Sequence, residues 1–125
     1  MKIKIVITIA LICLANLLFC QNKAIIDKST KDFRCTMDNG EYKIFGYDTM
    51  SIKGNKTICI SSFTSDVEGN PNKCSLGAYY STFDIPNEGK IIYITSQNHF
   101  VKLKYVEPKK ADVIFYIEEK MVEFE

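Results

Sequence analysis

The sequence predicts an all-β domain: an antiparallel meander of about eight short strands, closed as a small barrel or a two-layer sandwich. Three observations carry this. Turn-forming clusters recur roughly every 8 to 12 residues, the spacing of small β-sandwiches and barrels. Several of the runs between them alternate apolar and polar side chains with a period of two. After residue 20, no stretch of ten or more residues has the 3.6-residue apolar periodicity of an amphipathic helix.

The first element is not part of that domain. Lys2 and Lys4 precede an apolar run that continues, with Thr8 and Asn16 as its polar interruptions, to Phe19. A basic start followed by a short apolar stretch is the pattern of an export signal. The run falls short of the roughly 20 residues that span a bilayer. The domain organisation is therefore a signal over residues 1–20, a polar tether over 21–32 and one β domain over 33–125. Small residues at Cys13 and Ala15 suit cleavage after Ala15; cleavage after Cys20 is the alternative. Residues 17–20, Leu-Leu-Phe-Cys, approach the signal that directs lipidation of Cys20, departing from it at Phe19. Localisation follows: exported, either secreted or in a periplasmic or outer-envelope location, with the membrane reached only through a lipid on Cys20.

Residues 33–47 present the sharpest local cue. Asn39-Gly40 between two β-prone runs favours a two-residue hairpin turn, which would pair Cys35 with Ile44 and Met37 with Tyr42. Phe45 alone falls on the polar face. Gly54-Asn55 suggests a second hairpin, joining 49–53 to 56–63, whose second strand is apolar on both faces. Residues 64–75 hold Ser65, Asp66, Gly69, Asn70, Pro71 and Asn72 and predict a loop. Strands are expected again at 78–85 and 90–95, with a turn at 96–99. In 100–106, Val101, Leu103 and Tyr105 face one way and Lys102 and Lys104 the other. A turn at 108–112 precedes a strand at 113–118; the end, 119–125, either extends it or makes one helical turn.

Composition limits function. Removing Lys2 and Lys4 takes the formal charge from +1 to −1, and Arg34 is the only arginine among sixteen basic residues. A near-neutral domain lacks a general pull on polyanions, and bidentate phosphate recognition normally uses arginine, so no nucleic-acid partner is expected.

The cysteines take their meaning from export. In an oxidising compartment disulfides are the default, and Cys35, Cys59 and Cys74 are the candidates, with Cys59–Cys74 favoured because it would tie down the long polar loop. A bridge over such a loop stabilises by roughly 3 kcal/mol. No two cysteines have zinc-ligand spacing and His99 is the only histidine, so no metal and no cofactor is predicted. The loop 66–72 places oxygen-bearing side chains at alternate positions, as a calcium loop does, but has Pro71 and Gly77 where the helix-loop-helix pattern needs glycine and glutamate. Asn55-Lys56-Thr57 is a glycosylation acceptor if the host is eukaryotic.

No nucleophile elbow, phosphate loop or paired-histidine motif is present, and no catalytic residue is assigned. Phe33-Arg34-Cys35 ahead of a hairpin resembles the opening of the bacterial membrane-bound or periplasmic lysozyme inhibitors, small barrels that are often lipid-anchored. Their inhibitory stretch has no counterpart in this chain, so no functional residue carries over. The function expected is that of an exported, non-enzymatic β domain binding a protein or cell-surface partner. The alternatives are a lipid-tethered structural component of the envelope, or a small secreted enzyme without a visible motif.

Overall fold

A computed structural model describes residues 24–36 and 40–125. The export signal, Cys13, Cys20 and the Asn39 side of the first predicted turn lie outside the described residues. The fold is mostly β, with nine short strands in two mixed sheets, one four-residue helix and no closed barrel among the described residues. The strands are β1 (Ala24–Ile26), β2 (Phe33–Arg34), β3 (Lys43–Tyr47), β4 (Lys56–Ser61), β5 (Gly77–Tyr79), β6 (Lys90–Gln97), β7 (Phe100–Val106), β8 (Val113–Glu118) and β9 (Val122–Phe124); α1 is Thr64–Val67.

Six strands form the larger sheet in the order β5-β4-β3-β8-β7-β6, and β2-β1-β9 form the smaller one. The core lies between them. Ala24, Ile26, Phe33, Cys35 and Val122 meet Ile44, Ile58, Ile60, Val101, Leu103, Phe115 and Ile117. Of the two predicted closures, this arrangement is the two-layer sandwich. The ring of Tyr93 on β6 meets that of Phe124 on β9 edge to face, with centroids 5.6 Å apart.

The meander from β6 to β8 follows the sequence closely. The turn at Asn98-His99 has positive φ at both residues, as a two-residue hairpin turn requires. On β7 the predicted alternation is present: Val101 and Leu103 are fully buried and Tyr105 nearly so, while Lys102 and Lys104 are on the opposite face. The 119–125 stretch does both things foreseen for it, making a 3₁₀ turn at Glu119–Met121 and then β9.

Residues 49–53 form turns and no strand, and the strand expected over 78–85 ends at Tyr79, ahead of a 3₁₀ turn at Thr82–Asp84. Three further expectations need correction. The 33–47 hairpin does not form. Phe33–Arg34 pairs with β1 in the small sheet, whereas Lys43–Tyr47 pairs with β4 and β8 in the large one. Cys35 bonds instead to a residue far along the chain, its carbonyl accepting from the Thr82 amide at 3.0 Å. Burying β3 between β4 and β8 and Phe33 in the facing layer removes more apolar surface from water than an isolated hairpin could. Secondly, residues 24–26 of the expected tether are a strand, and Ala24 and Ile26 are fully buried. Thirdly, two pairs are parallel, β1 with β9 and β4 with β5. Parallel neighbours need a connection of a dozen or more residues, and residues 62–76, which include α1, supply it between β4 and β5.

Candidate functional site

The large sheet has one face on the core and one facing away from it. Paired residues share a face, so register identifies the outer one: Lys43 with Ser61 and Phe45 with Cys59 on one half, Lys102 with Tyr116 and Lys104 with Ile114 on the other. These two halves are finished differently.

Over β3, β4 and β5 the outer face is covered. The 62–76 crossover folds back across it, with α1 packed against β4 and β5. Tyr47, Thr57, Cys59 and Ser61 are buried there, as is Cys74 in the crossover itself. Asp66 on α1 anchors the cover: Ser61 Oγ donates to its Oδ2 at 2.8 Å, and Lys43 Nζ lies 3.0 Å from Oδ1. Burial works to raise the Asp66 carboxyl, but the bonds from Ser61 and Lys43 and the charges of Lys43 and Lys56 outweigh it, and the group sits below its ordinary range. Phe45, the apolar exception in the sequence pattern, lies beneath the ammonium groups of Lys56 and Lys43, 4.6 and 5.7 Å from its ring centroid.

That cover also settles the calcium-like spacing of the 66–72 loop. Its oxygens are directed at donors of this chain. Asp66 takes Ser61 and Lys43, Glu68 Oε1 accepts from Tyr80 Oη at 2.8 Å, Asn70 Oδ1 accepts from the Cys74 amide at 3.1 Å, and Asn72 Oδ1 accepts from Lys56 Nζ at 3.4 Å. The loop is a brace that ties the cover to β4.

The disulfide candidates are placed with equal clarity. Cys35, Cys59 and Cys74 are free thiols and all three are buried. Cys35 belongs to the core between the sheets. Cys59 lies on the outer face, where Cys74 is close enough to help raise its thiol, and Tyr47 senses both. The sheet therefore stands between Cys35 and the other two, leaving Cys59–Cys74 as the pair that shares a compartment. Burial pushes the Cys35 and Cys59 thiols up to about 12 and raises Cys74 as well. Such thiols stay protonated near neutrality, the opposite of an activated nucleophile. Asn55 is exposed in the β3–β4 loop, with its Nδ2, the atom a glycan would take, donating to Asp48 Oδ2 at 3.1 Å.

Over β8, β7 and β6 the outer face has no cover among the described residues. Register lays out two central rows, Ile92–Lys104–Ile114 and Thr95–Lys102–Tyr116, flanked by Val106 and Phe100. Ile114 is 39% exposed and the neighbouring Ile94, at the β6 bulge, 37%. Lys104 reaches Asp112 at 3.8 Å, and among the described residues no carboxylate lies within 4 Å of Lys102. Ile92 and Val106 also line a shallow depression with Pro108 and Lys90. The alternation of 100–106 announced that Lys102 and Lys104 share a face; that isoleucines flank Lys104 on both sides emerges only from the register.

The remaining buried carboxylate, Glu107 at the end of β7, is held low chiefly by its bond from Lys110, whose Nζ is 3.0 Å away. No helix among the described residues is long and apolar enough to cross a membrane. No known protein family, no curated protein and no solved structure matches the chain.

Proposed function

We propose that the protein is an exported, non-enzymatic β domain that binds a protein partner through the uncovered half of its large sheet. The observation that carries this reading is the contrast between the two halves of one face. The crossover covers Cys59, Ser61 and Thr57 on one half, leaving Lys43 at its margin, while the other presents Ile92, Ile114, Tyr116 and Val106 around a pair of lysines. Apolar area with a few central charges is the make-up of a protein contact surface. The cationic centre, where Lys102 has no carboxylate within 4 Å among the described residues, selects a partner whose apolar patch carries acidic side chains.

The chemistry of the buried groups supports the non-enzymatic part. A general acid working near neutrality needs a raised carboxyl, and Asp66 and Glu107 are both held low. An oxidised Cys59–Cys74 bridge, expected in an exported protein, would lock the covering crossover onto β4 and leave the binding half untouched.

The test is site-specific photocrosslinking in the cells that produce the protein. A benzophenone side chain at position 114 is expected to give one discrete adduct, weakened by Lys102→Glu. The same probe at Ile52, which is 59% exposed on the β3–β4 loop, should give none. Equal adducts at both positions, or none at 114, would refute the surface.

A further inference from the structure

The large sheet also has an unfinished edge, and it is a different surface from the outer face. β6 is the last strand of the sheet and the longest among the described residues. Its first half is closed: Asp32 bridges Ile92, and the Tyr93 amide donates to the Lys31 carbonyl at 2.9 Å. A bulge follows between Tyr93 and Thr95. Beyond it, Thr95, Ser96 and Gln97 are exposed and have no neighbour on the side away from β7 among the described residues. Gln97 and Phe100 close the two-residue turn, so the Ser96 N–H and C=O point outward, away from β7. Edge strands are ordinarily guarded by a lysine or proline; residues 91–98, Ile-Ile-Tyr-Ile-Thr-Ser-Gln-Asn, contain neither, nor any charge.

Next to the turn that ends this open half lies an open depression of about 540 Å³, lined by Val122 and Phe124 of β9, His99 of the β6–β7 turn, and Glu118, Glu119 and Lys120. Tyr93 joins the edge to the depression. Its hydroxyl is 3.0 Å from Ser96 Oγ and its ring packs on Phe124. The ammonium groups of Lys28 and Lys31 stand over those same two rings, 4.4 Å from the Phe124 centroid and 5.5 Å from that of Tyr93, with no carboxylate of the described residues within 4 Å of either. Glu118, by contrast, is taken up by Lys120 at 3.5 Å.

From these features we infer that β6 is a strand-docking edge for an extended segment of another protein. The segment adds to the sheet at residues 95–97, seats an apolar side chain against Val122 and Phe124, and carries acidic side chains toward Lys28 and Lys31. Backbone bonds supply affinity in this mode, and the alternate side-chain pocket supplies specificity. A second copy of this chain fits less well. Paired edge to edge it would offer the depression Ser96, a short polar side chain. The inference rests on the protein being a binding module but not on the outer face being the contact.

The probe is a capped peptide, Thr-Glu-Val-Glu-Phe-Glu-Val-Glu-Thr, with a control of the same composition whose acidic and apolar residues do not alternate. Amide NMR shifts on titration should be saturable and centred on residues 95–97, Val122 and Phe124 of the full domain. Ser96→Lys should weaken binding at least tenfold with an unchanged melting temperature, and Lys28→Glu with Lys31→Glu should weaken it severalfold. Ile114→Lys, on the outer face, should leave it unchanged, which separates this site from the other. Shifts centred on Lys102 and Ile114, equal binding of the control, no shift at millimolar peptide, or a dimer in which residues 95–97 are already protected would each overturn the inference; the wild-type map decides even if a variant fails to fold.

Discussion

Gly46→Ala tests the sandwich at a tight point of its core. Gly46 lies inside β3, flanked by β4 and β8, and faces the core opposite Ile58. A Cβ there would stand 2.5 Å from Phe115 Cδ2, 2.8 Å from Ile58 Cγ2 and 3.0 Å from Phe115 Cε2. Carbon atoms in contact prefer about 3.5–4.0 Å, so the ring must retreat by about 1 Å. It has nowhere to go, since Phe115, Leu103 and Ile117 are all fully buried. Inserting one methyl into a filled core costs about 1–3 kcal/mol. Replacing glycine within a strand returns roughly 0.5–1 kcal/mol of backbone entropy. Contacts this short put the packing cost in the upper half of that range, so the net is about 1–2.5 kcal/mol of destabilisation, or roughly 5–20 °C in Tm for a domain of about 100 residues. Urea unfolding followed by far-UV circular dichroism measures it, with tyrosine fluorescence as the second probe because the chain has no tryptophan. Phe115→Leu should relieve the clash, so the double variant should be about 1 kcal/mol or more better than the sum of the singles. A neutral Gly46→Ala, or strict additivity with Phe115→Leu, would refute the packing of β3 against β8.

Two further outcomes follow from the covered half of the sheet. Asp66→Asn should cost about 1–2 kcal/mol, since it weakens bonds of Ser61 and Lys43 to a buried carboxylate. Because the folded Asp66 carboxyl is lowered, its contribution is complete above the ordinary carboxylate value of about 4 and fades as pH falls through the lower folded value. Wild type and variant should therefore converge in acid and differ at neutral pH, as checked by urea midpoints at several pH values. In protein purified from an oxidising compartment, intact mass and peptide mapping should find Cys59 joined to Cys74 with loss of two hydrogens, and Cys35 as a free thiol. A Cys35 bridge would contradict the separation of these thiols by the sheet.

What could be read from the chain beforehand divides along the distance of the contacts. The β6–β7–β8 meander is made of neighbours joined by short turns, and each turn announces itself in residues such as Asn98 or Pro108. Burial of β4 on both faces was also legible, in the unbroken apolar character of Ile58, Cys59 and Ile60. The 33–47 hairpin failed because its strong local cue competes with partners that local sequence does not reveal: Thr82 for Cys35, and β4 and β8 for β3. Ala24–Ile26 is too short, and too closely flanked by polar residues, to look like a strand until β9 lies beside it. The same holds for the site. Lys102 and Lys104 could be placed on one face from alternation alone. Their setting among Ile92, Ile114 and Tyr116 depends on three strands being in register, and the lack of a cover depends on where the 62–76 crossover folds.

The central claim is that this uncovered half of the sheet is the working surface, and affinity at that surface tests it most directly. With the protein captured at position 114 as ligand, titration calorimetry should give at least tenfold weaker binding for Ile114→Lys than for wild type. The two should have the same Tm, because Ile114 is exposed and outside the core. Unchanged affinity for a folded Ile114→Lys would contradict the account.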